Sequence, residues 1–338
     1  MYATPYVQLQ GVQPMKAILY DHYGSPDVLH YEELEKPLPA DDQILIQVRA
    51  SSVNPYDWHF IRGTPSFIRL FIGMRAPKSR RLGADVAGLV EAVGRNVTSF
   101  KVGDSVFGTA VGSFAEYVCA PESTLALKPE NLTWEQAASA PIAGITALQG
   151  LRDTGRILKG QHVLINGAAG GVGTFAVQIA KSFGAHITAV CSTRNIELVR
   201  SIGADDAIDY TRENFIHGTQ RYDVFFDLVG NNPLPACLRV LQPKGIYIGC
   251  GGGGPDRRSM EPLGSMLHSL LLRPFTTRKL PGFLAKVNTA DLNVLADLMR
   301  SGKVTPVLDS TYALKETAEA IRYIEHCHAR GKVTITVP

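Results

Sequence analysis

The sequence predicts an α/β protein in two parts, a β-rich unit and a doubly wound parallel sheet. Three observations predict it. From Met15 to Ala140, short β-type runs alternate with turn clusters. From Pro141 to Gly254, short apolar runs alternate with helical patterns, the rhythm of a parallel sheet wrapped by helices. After residue 290 the β-rich style returns, so the first unit is discontinuous and the second is inserted into it. At 338 residues the chain exceeds one typical domain. The expected division is 15–140 with 290–338 for the β-rich unit, 141–289 for the parallel sheet, and 1–14 as a flexible extension.

In the first unit the runs are KAILY, QILIQVRAS, ADVAGLVEAVG, SVFGTA and FAEYVCAP, punctuated by GSPD, KPLPADD and GRNVTSFKVGD. Glycines at 88 and 94 mark a strand that bends sharply. In the second unit HVLIN precedes the helical GGVGTFAVQIAKSFG, HITAVC precedes NIELVRSIG, and DAIDY follows. DVFFDLVG, a helical PLPACLRVLQP and GIYIGCG complete the series. Residues 255–290 read as one apolar helix with loops. TADLNVLADLMRSGKV is an amphipathic helix stopped by Gly302, VTPVLDSTYAL a strand, ETAEAIRYIEHCHARG a helix and KVTITVP a last strand.

Lys and Arg number 34 against 31 Asp and Glu, a net charge of +3, too balanced for a nucleic-acid binder. Five cysteines without CxxC spacing argue for reduced thiols and against a disulfide framework. Cys119 reads as strand core. The first residues, MYATPYVQLQGVQP, have neither the basic residues nor the apolar centre of a targeting peptide, and no apolar run is long enough for a membrane span. These readings point to a cytoplasmic protein.

The stretch VLINGAAGGVGT (163–174) carries the main chemical signal. A strand that runs through glycines into a helix offers unpaired backbone N–H groups at the helix start, and glycine lets a diphosphate approach them. Against GxGxxG the best register is Ala168-x-Gly170-x-x-Gly173, with alanine at the tight-turn position. The expected diphosphate contacts are Ala169, Gly170, Gly171, Val172 and Gly173. In an NAD site an acid after the second strand receives the ribose 2′-hydroxyl. Here that strand runs into Ser192, Thr193 and Arg194, two hydroxyls and a guanidinium that would attract a 2′-phosphate. The cofactor expected is NADPH; the alternative for Arg194 is a solvated loop charge. In open parallel sheets ligands lie at strand carboxyl ends, which places Tyr210, Leu228, Val229, Gly230 and Gly249 near it.

The segments SSVNPYDWHFIRG (51–63), LGADVAGLVEAVG (82–94), KVGDSVFG (101–108), FAEYVCAP (114–121), AGITALQGL (143–151), INGAAGGVG (165–173), SIGADDAIDY (201–210) and HARGKVTI (328–335) together resemble the medium-chain dehydrogenase/reductase superfamily. More narrowly, they resemble its zinc-independent quinone oxidoreductase and enone reductase branch. The resemblance implies a GroES-like catalytic domain, an inserted Rossmann domain and a homodimer, with the edge near GIYIG pairing across the two-fold. Zinc-using members carry an early cysteine and a central His-Glu pair. This chain has SSVNPYDW and Gly83-Ala84-Asp85 instead, so no metal is expected. Without a Lewis acid, the implied reaction is hydride transfer from NADPH to an α,β-unsaturated carbonyl or quinone, with hydrogen-bond donors stabilising the charge on oxygen. The alternatives are an NADP-linked alcohol dehydrogenase and a non-catalytic NADPH-binding protein.

The resemblance puts Asn54 and Tyr56 at the catalytic position, with Asp57 as a cap for the next turn and Trp58 and Phe60 lining an apolar pocket. It places Thr146 on the nicotinamide side and brings Lys332 to the cofactor; an ordinary charge before a strand is the alternative for Lys332. The run Arg75 to Arg81 reads as a solvated loop beside the cleft. Gly251–Gly254 read as a connector, and Met266 with the leucines from 267 to 272 as a lid, a dimer surface or a membrane-facing patch.

Overall fold

The structure, a computed structural model, describes residues 13–250, 276–326 and 329–338. The connector at 251–254, the leucines from 267 to 272 and nearly all of the extension at 1–14 lie outside the described residues.

Strand β1 (Pro14–Leu19) pairs antiparallel with β2 (His30–Glu35). Strand β3 (Gln43–Val53) leads into α1 (Pro55–Arg62) and the single turn α2 (Arg69–Ile72). Strands β4 (Asp85–Val93), β5 (Ser105–Thr109), β6 (Tyr117–Pro121) and β7 (Leu125–Leu127) follow, then α3 (Trp134–Ala138) and α4 (Pro141–Gln149). The alternating stretch gives β8 (His162–Asn166), α5 (Gly171–Ser182), β9 (His186–Cys191), α6 (Ile196–Ser201), β10 (Asp206–Asp209), β11 (Tyr222–Asp227), α7 (Leu234–Arg239) and β12 (Leu241–Gly249). The chain closes with α8 (Thr289–Arg300), β13 (Leu308–Ala313), α9 (Thr317–Glu325) and β14 (Lys332–Thr336).

A seven-stranded sheet has the order β13-β14-β3-β4-β5-β7, with β6 also paired to β3. Strand β3 is the hinge of this sheet. One edge pairs with β4; the other pairs with β6 over 43–47 and with β14 over 50–53. Two register shifts against β4, at Leu45/Ile46 and Val48/Ala50, bend the strand between its two partners. Gly88 sits at the bend, where a Cβ would come within 2.1 Å of the Gln47 carbonyl oxygen. The second sheet is parallel, in the order β10-β9-β8-β11-β12. That order places β8 at the centre and the loops after β8, β9, β10, β11 and β12 at one end.

Val163, Ile165, Phe175, Ile187 and Phe226 build the core of the parallel sheet, and Leu292, Leu295 and Met299 of α8 join the same cluster. The Cβ of an alanine at Gly144 would meet Leu295 Cδ2 at 2.5 Å, so α4 and α8 cross closely there. A separate core of Ile44, Ile46, Val48, Ile61, Phe114, Val333 and Ile335 fills the β-rich half. Trp58 is buried in that core and Phe60 packs against it, so Trp58 is a packing residue rather than a pocket wall. Cys119 is only half-buried in β6, and the four described cysteines form no disulfide. The outer edge of β12 is not bare: Tyr247 N–H donates to the Lys279 carbonyl at 3.0 Å, and Lys279 N–H to that of Gly245 at 2.9 Å.

Candidate active site

Strand β8 ends at Asn166, and Gly167 makes the tight turn with φ +82°. The register read from sequence put that turn at Ala168; the structure moves it one residue earlier, to a residue without a Cβ. A Cβ on Gly173 would lie 2.2 Å from the Gly167 carbonyl oxygen and 2.6 Å from Ala168 C, so only glycine lets α5 start this close to the turn. Gly170 caps the helix in an extended conformation, and the first helical bond runs from Thr174 N–H to the Gly170 carbonyl at 3.0 Å. The amides of Gly171, Val172 and Gly173 thus open the helix without intrahelical acceptors. Ala169 is buried, and its carbonyl accepts from Gly331 N–H at 2.9 Å. This bond ties the glycine turn to the residue before Lys332.

The other strand ends carry the remaining expected contacts. Ser192, Thr193 and Arg194 follow β9, and Tyr210 stands exposed after β10. Ser192 Oγ accepts from Asn195 Nδ2 at 3.2 Å. The sequence shows no acid after β9, but the fold brings one from the end of the next strand. Thr193 Oγ1 donates to Asp209 Oδ2 at 2.5 Å. The Thr193 hydroxyl, then the hydroxyl and backbone N–H of Thr211 and the Arg212 charge, hold the Asp209 carboxyl below its ordinary range. Arg194 lies near enough to Tyr323 to pull its phenol down, against the stronger opposite pull of Asp309.

Leu228, Val229 and Gly230 are set by a residue that sequence reasoning missed. Asp227, fully buried at the end of β11, accepts from Val229 N–H at 3.1 Å and Gly230 N–H at 2.9 Å. It also accepts from Asn166 Nδ2 at 2.9 Å and from the Tyr247 hydroxyl at 2.9 Å. The signal was available in DVFFDLVG, where an acid closes an apolar run at a strand end. Gly249 ends β12, with Tyr247 Cε1 3.3 Å from where its Cβ would be.

A buried polar cluster lies on the β-rich side of the glycine turn. Lys332, 3% exposed, directs its ammonium to Asn54 Oδ1 at 2.6 Å, the Val53 carbonyl at 3.3 Å and Asp85 Oδ2 at 3.4 Å. Burial pulls its pKa down, opposed by Asp85. Asn54 Nδ2 donates to Asp85 Oδ2 at 2.8 Å, and Ser52 Oγ to the same oxygen at 2.7 Å. Asp85 Oδ1 accepts from Ile142 N–H at 2.9 Å. Thr146 follows one turn later on α4 and is likewise buried. The Asn54 amide is therefore committed to the protein, with both Nδ2 protons used, the second on the Ser52 carbonyl at 3.3 Å. It holds the cluster together rather than standing open as a donor.

Asp57 caps α1, accepting from Asn54 N–H at 2.8 Å. Burial lifts its carboxyl to about 7, with Asp85 adding to the rise. Tyr56 is half-buried against Phe60, ring centroids 4.0 Å apart, and burial raises its phenol to about 12. At neutral pH its oxygen keeps its proton. His59 bonds the Thr64 carbonyl through Nδ1 at 2.8 Å and stacks on Trp58, a packing role.

Zinc does not fit here. The cation facing Asp85 is the Lys332 ammonium, and the remaining groups around that carboxylate are donors. Among the described residues, no group of three or more His, Cys, Asp or Glu could hold a metal ion.

A central β8 carrying a glycine turn, bound through Gly331 to a β-rich sheet with its own buried polar cluster, defines the two-domain architecture of nucleotide-dependent dehydrogenases and reductases. The comparisons narrow it. Residues 40–130 match the family described as alcohol dehydrogenase GroES-like domain, and residues 202–335 the family described as zinc-binding dehydrogenase. The chain is 35% identical over 336 residues to the tomato (Solanum lycopersicum) 2-methylene-furan-3-one reductase, covering 95% of this chain and 79% of the relative. It has the same identity and coverage with the chloroplastic NADPH-dependent alkenal/one oxidoreductase of Arabidopsis thaliana. The quinone oxidoreductase structure from Coxiella burnetii superposes with a TM-score of 0.81 at 31% identity, over 96% of this chain and 100% of that one. The chain belongs to the medium-chain dehydrogenase/reductase superfamily, in its quinone oxidoreductase branch.

Proposed function

We propose that the protein is an NADPH-dependent reductase of α,β-unsaturated carbonyls or quinones. The observation that carries this reading is the backbone junction between Ala169 and Gly331, which sets the glycine turn beside the Lys332–Asn54–Asp85 cluster and Tyr56's helix. The named activities of the relatives support it. The residues present fit the cofactor: an alanine Cβ at Gly170 would find its nearest protein atom 3.4 Å away, so the turn is open above the first amides of α5. Gly170, Gly171, Val172 and Gly173 would hold the diphosphate, and Ser192, Thr193 and Arg194 the 2′-phosphate. Bound NADPH supplies a hydride. The chain's own contribution is a proton held on the Tyr56 hydroxyl, in a site walled by Phe60, available to an oxygen that gains negative charge. Lys332 and Asp85 act through Asn54 and the start of α1.

The same reading takes 15–140 with 290–338 as the catalytic domain, 141–289 as the nucleotide domain and 1–14 as an extension. It includes a cytoplasmic homodimer. In support, no described helix is long and apolar enough to cross a membrane. Among the described residues, backbone pairing on the outer edge of β12 occurs only at Lys279. The deciding experiment is NADPH oxidation against short enones, long-chain enals, and ortho- and para-quinones, with NADPH affinity measured by calorimetry. Turnover of at least one class supports the reading; tight NADPH binding without turnover of any would reduce the protein to a nucleotide-binding one.

A further inference from the structure

The segment between α1 and β4 is built the wrong way round for water. In α2 and the turn after it, Leu70 is 64% exposed, Phe71 74% and Met74 64%. The polar residue beside them points inward. Arg69 donates from Nε to the Gly63 carbonyl at 3.0 Å and from an Nη to that of Arg62 at 3.1 Å, with its guanidinium 4.5 Å from the centre of the Tyr23 ring. The Tyr23 hydroxyl donates to the Gly73 carbonyl at 2.6 Å, and Lys78 N–H to the Ile72 carbonyl at 2.7 Å. Gly73 turns the chain at φ +127°, where a Cβ would lie 2.0 Å from the Ala76 carbonyl oxygen. These contacts fix the backbone, so the apolar side chains are held out by built structure. Three large apolar side chains exposed within five residues of one turn mark an interaction surface.

Charge identifies the partner. From 58 through 84 the chain has no acidic residue and carries Arg62, Arg69, Arg75, Lys78, Arg80 and Arg81. Arg62 pairs with Glu325, and Arg80 with Asp21 and Glu32. Arg75 and Lys78 are exposed and make no ion pair with the described residues. Apolar side chains that can enter an acyl layer, bordered by unpaired cations at the level of phosphate headgroups, are what an anionic bilayer surface binds. We propose that the 66–81 segment is a peripheral membrane-docking surface, seating Leu70, Phe71 and Met74 in the interface of an anionic bilayer with Arg75 and Lys78 on its headgroups. The proposal is independent of the reductase reading.

The test is co-sedimentation of the full chain with phosphatidylcholine vesicles and with phosphatidylcholine–phosphatidylglycerol vesicles. Binding should favour the anionic vesicles and weaken with salt. Each of Arg75→Gln and Lys78→Gln should weaken it by about fivefold. Leu70→Ser with Phe71→Ser should weaken it by at least about tenfold on the same vesicles. Circular dichroism and the thermal midpoint check that each variant is folded, and the two charge changes touch side chains that make no ion pair with the described residues. No binding to anionic vesicles overturns the proposal, as does binding that neither set of variants changes. A wild-type oligomer that the Leu70→Ser/Phe71→Ser variant dissociates, with no vesicle binding, would assign the face to a second copy of this chain.

Discussion

Replacing Lys332 with methionine keeps the length of its stem and removes its charge. Among the described residues the ammonium is the only cation against Asp85, whose carboxylate is fully buried. Removing one partner of a buried ion pair costs about 3–5 kcal/mol, because the other charge stays behind without compensation. Asn54 Oδ1 also loses its donor at 2.6 Å and the Val53 carbonyl its donor at 3.3 Å. Asp85 keeps three donors, Ser52, Asn54 and Ile142 N–H, so the lower end of that range is expected, about 3 kcal/mol. The double variant Lys332→Met/Asp85→Asn removes both charges and should lose less than the sum of the single losses, by about 2 kcal/mol or more. Urea unfolding measures this, followed through the two tryptophans, Trp58 in the β-rich core and Trp134 on α3. Affinity for NADPH should fall in Lys332→Met as well, since Gly331 and Lys332 lie directly under the glycine turn. Additive losses, or a loss below about 1 kcal/mol for Lys332→Met, would refute the claim that this pair is one electrostatic unit.

Three further outcomes follow from the same geometry. Asp57 has a folded pKa of about 7 against an ordinary 3.8, so the folded state holds the proton more tightly. Its contribution to stability is full below about 4 and is lost as pH rises towards 7. Asp57→Asn should remove that fall from the stability–pH curve, and parallel curves for the two proteins would count against it. Gly173→Ala forces a Cβ to within 2.2 Å of the Gly167 oxygen and should lose both stability and NADPH binding. Gly170→Ala meets nothing in the protein closer than 3.4 Å and should keep its thermal midpoint while NADPH binds at least about tenfold more weakly. Arg194→Glu should weaken NADPH by about tenfold or more and shift preference towards NADH; an unchanged ratio of kcat/KM for the two cofactors ends the 2′-phosphate assignment.

The parallel sheet was legible because its signals are local. HVLIN, HITAVC, DAIDY, DVFFD and GIYIG each fall on a strand of that sheet, and the helical runs between them on α5, α6 and α7. The glycine turn was legible for the same reason, to within one residue: chemistry that depends on missing side chains at consecutive positions shows in the sequence itself. The slip from Ala168 to Gly167 came from a positive φ, a property of the folded turn. Trp58 read as a pocket wall because its neighbours are loop-like, whereas its burial is set by strands far along the chain.

What the sequence by itself determined is the order of elements, the glycine turn and the residue types available at each strand end. These depend on periodicity and local backbone sterics, which act over a few residues. Only the tertiary structure decided how those residues are used. It joined Lys332 to Asn54 across 278 positions and to Asp85 across 247, brought Asp209 to Thr193 from the next strand, and turned Leu70, Phe71 and Met74 outward over an inward Arg69. The physical reason is that a charge or an apolar side chain acquires its energy from what surrounds it. Burial of the Lys332 ammonium and exposure of Phe71 are properties of neighbours that no local window contains.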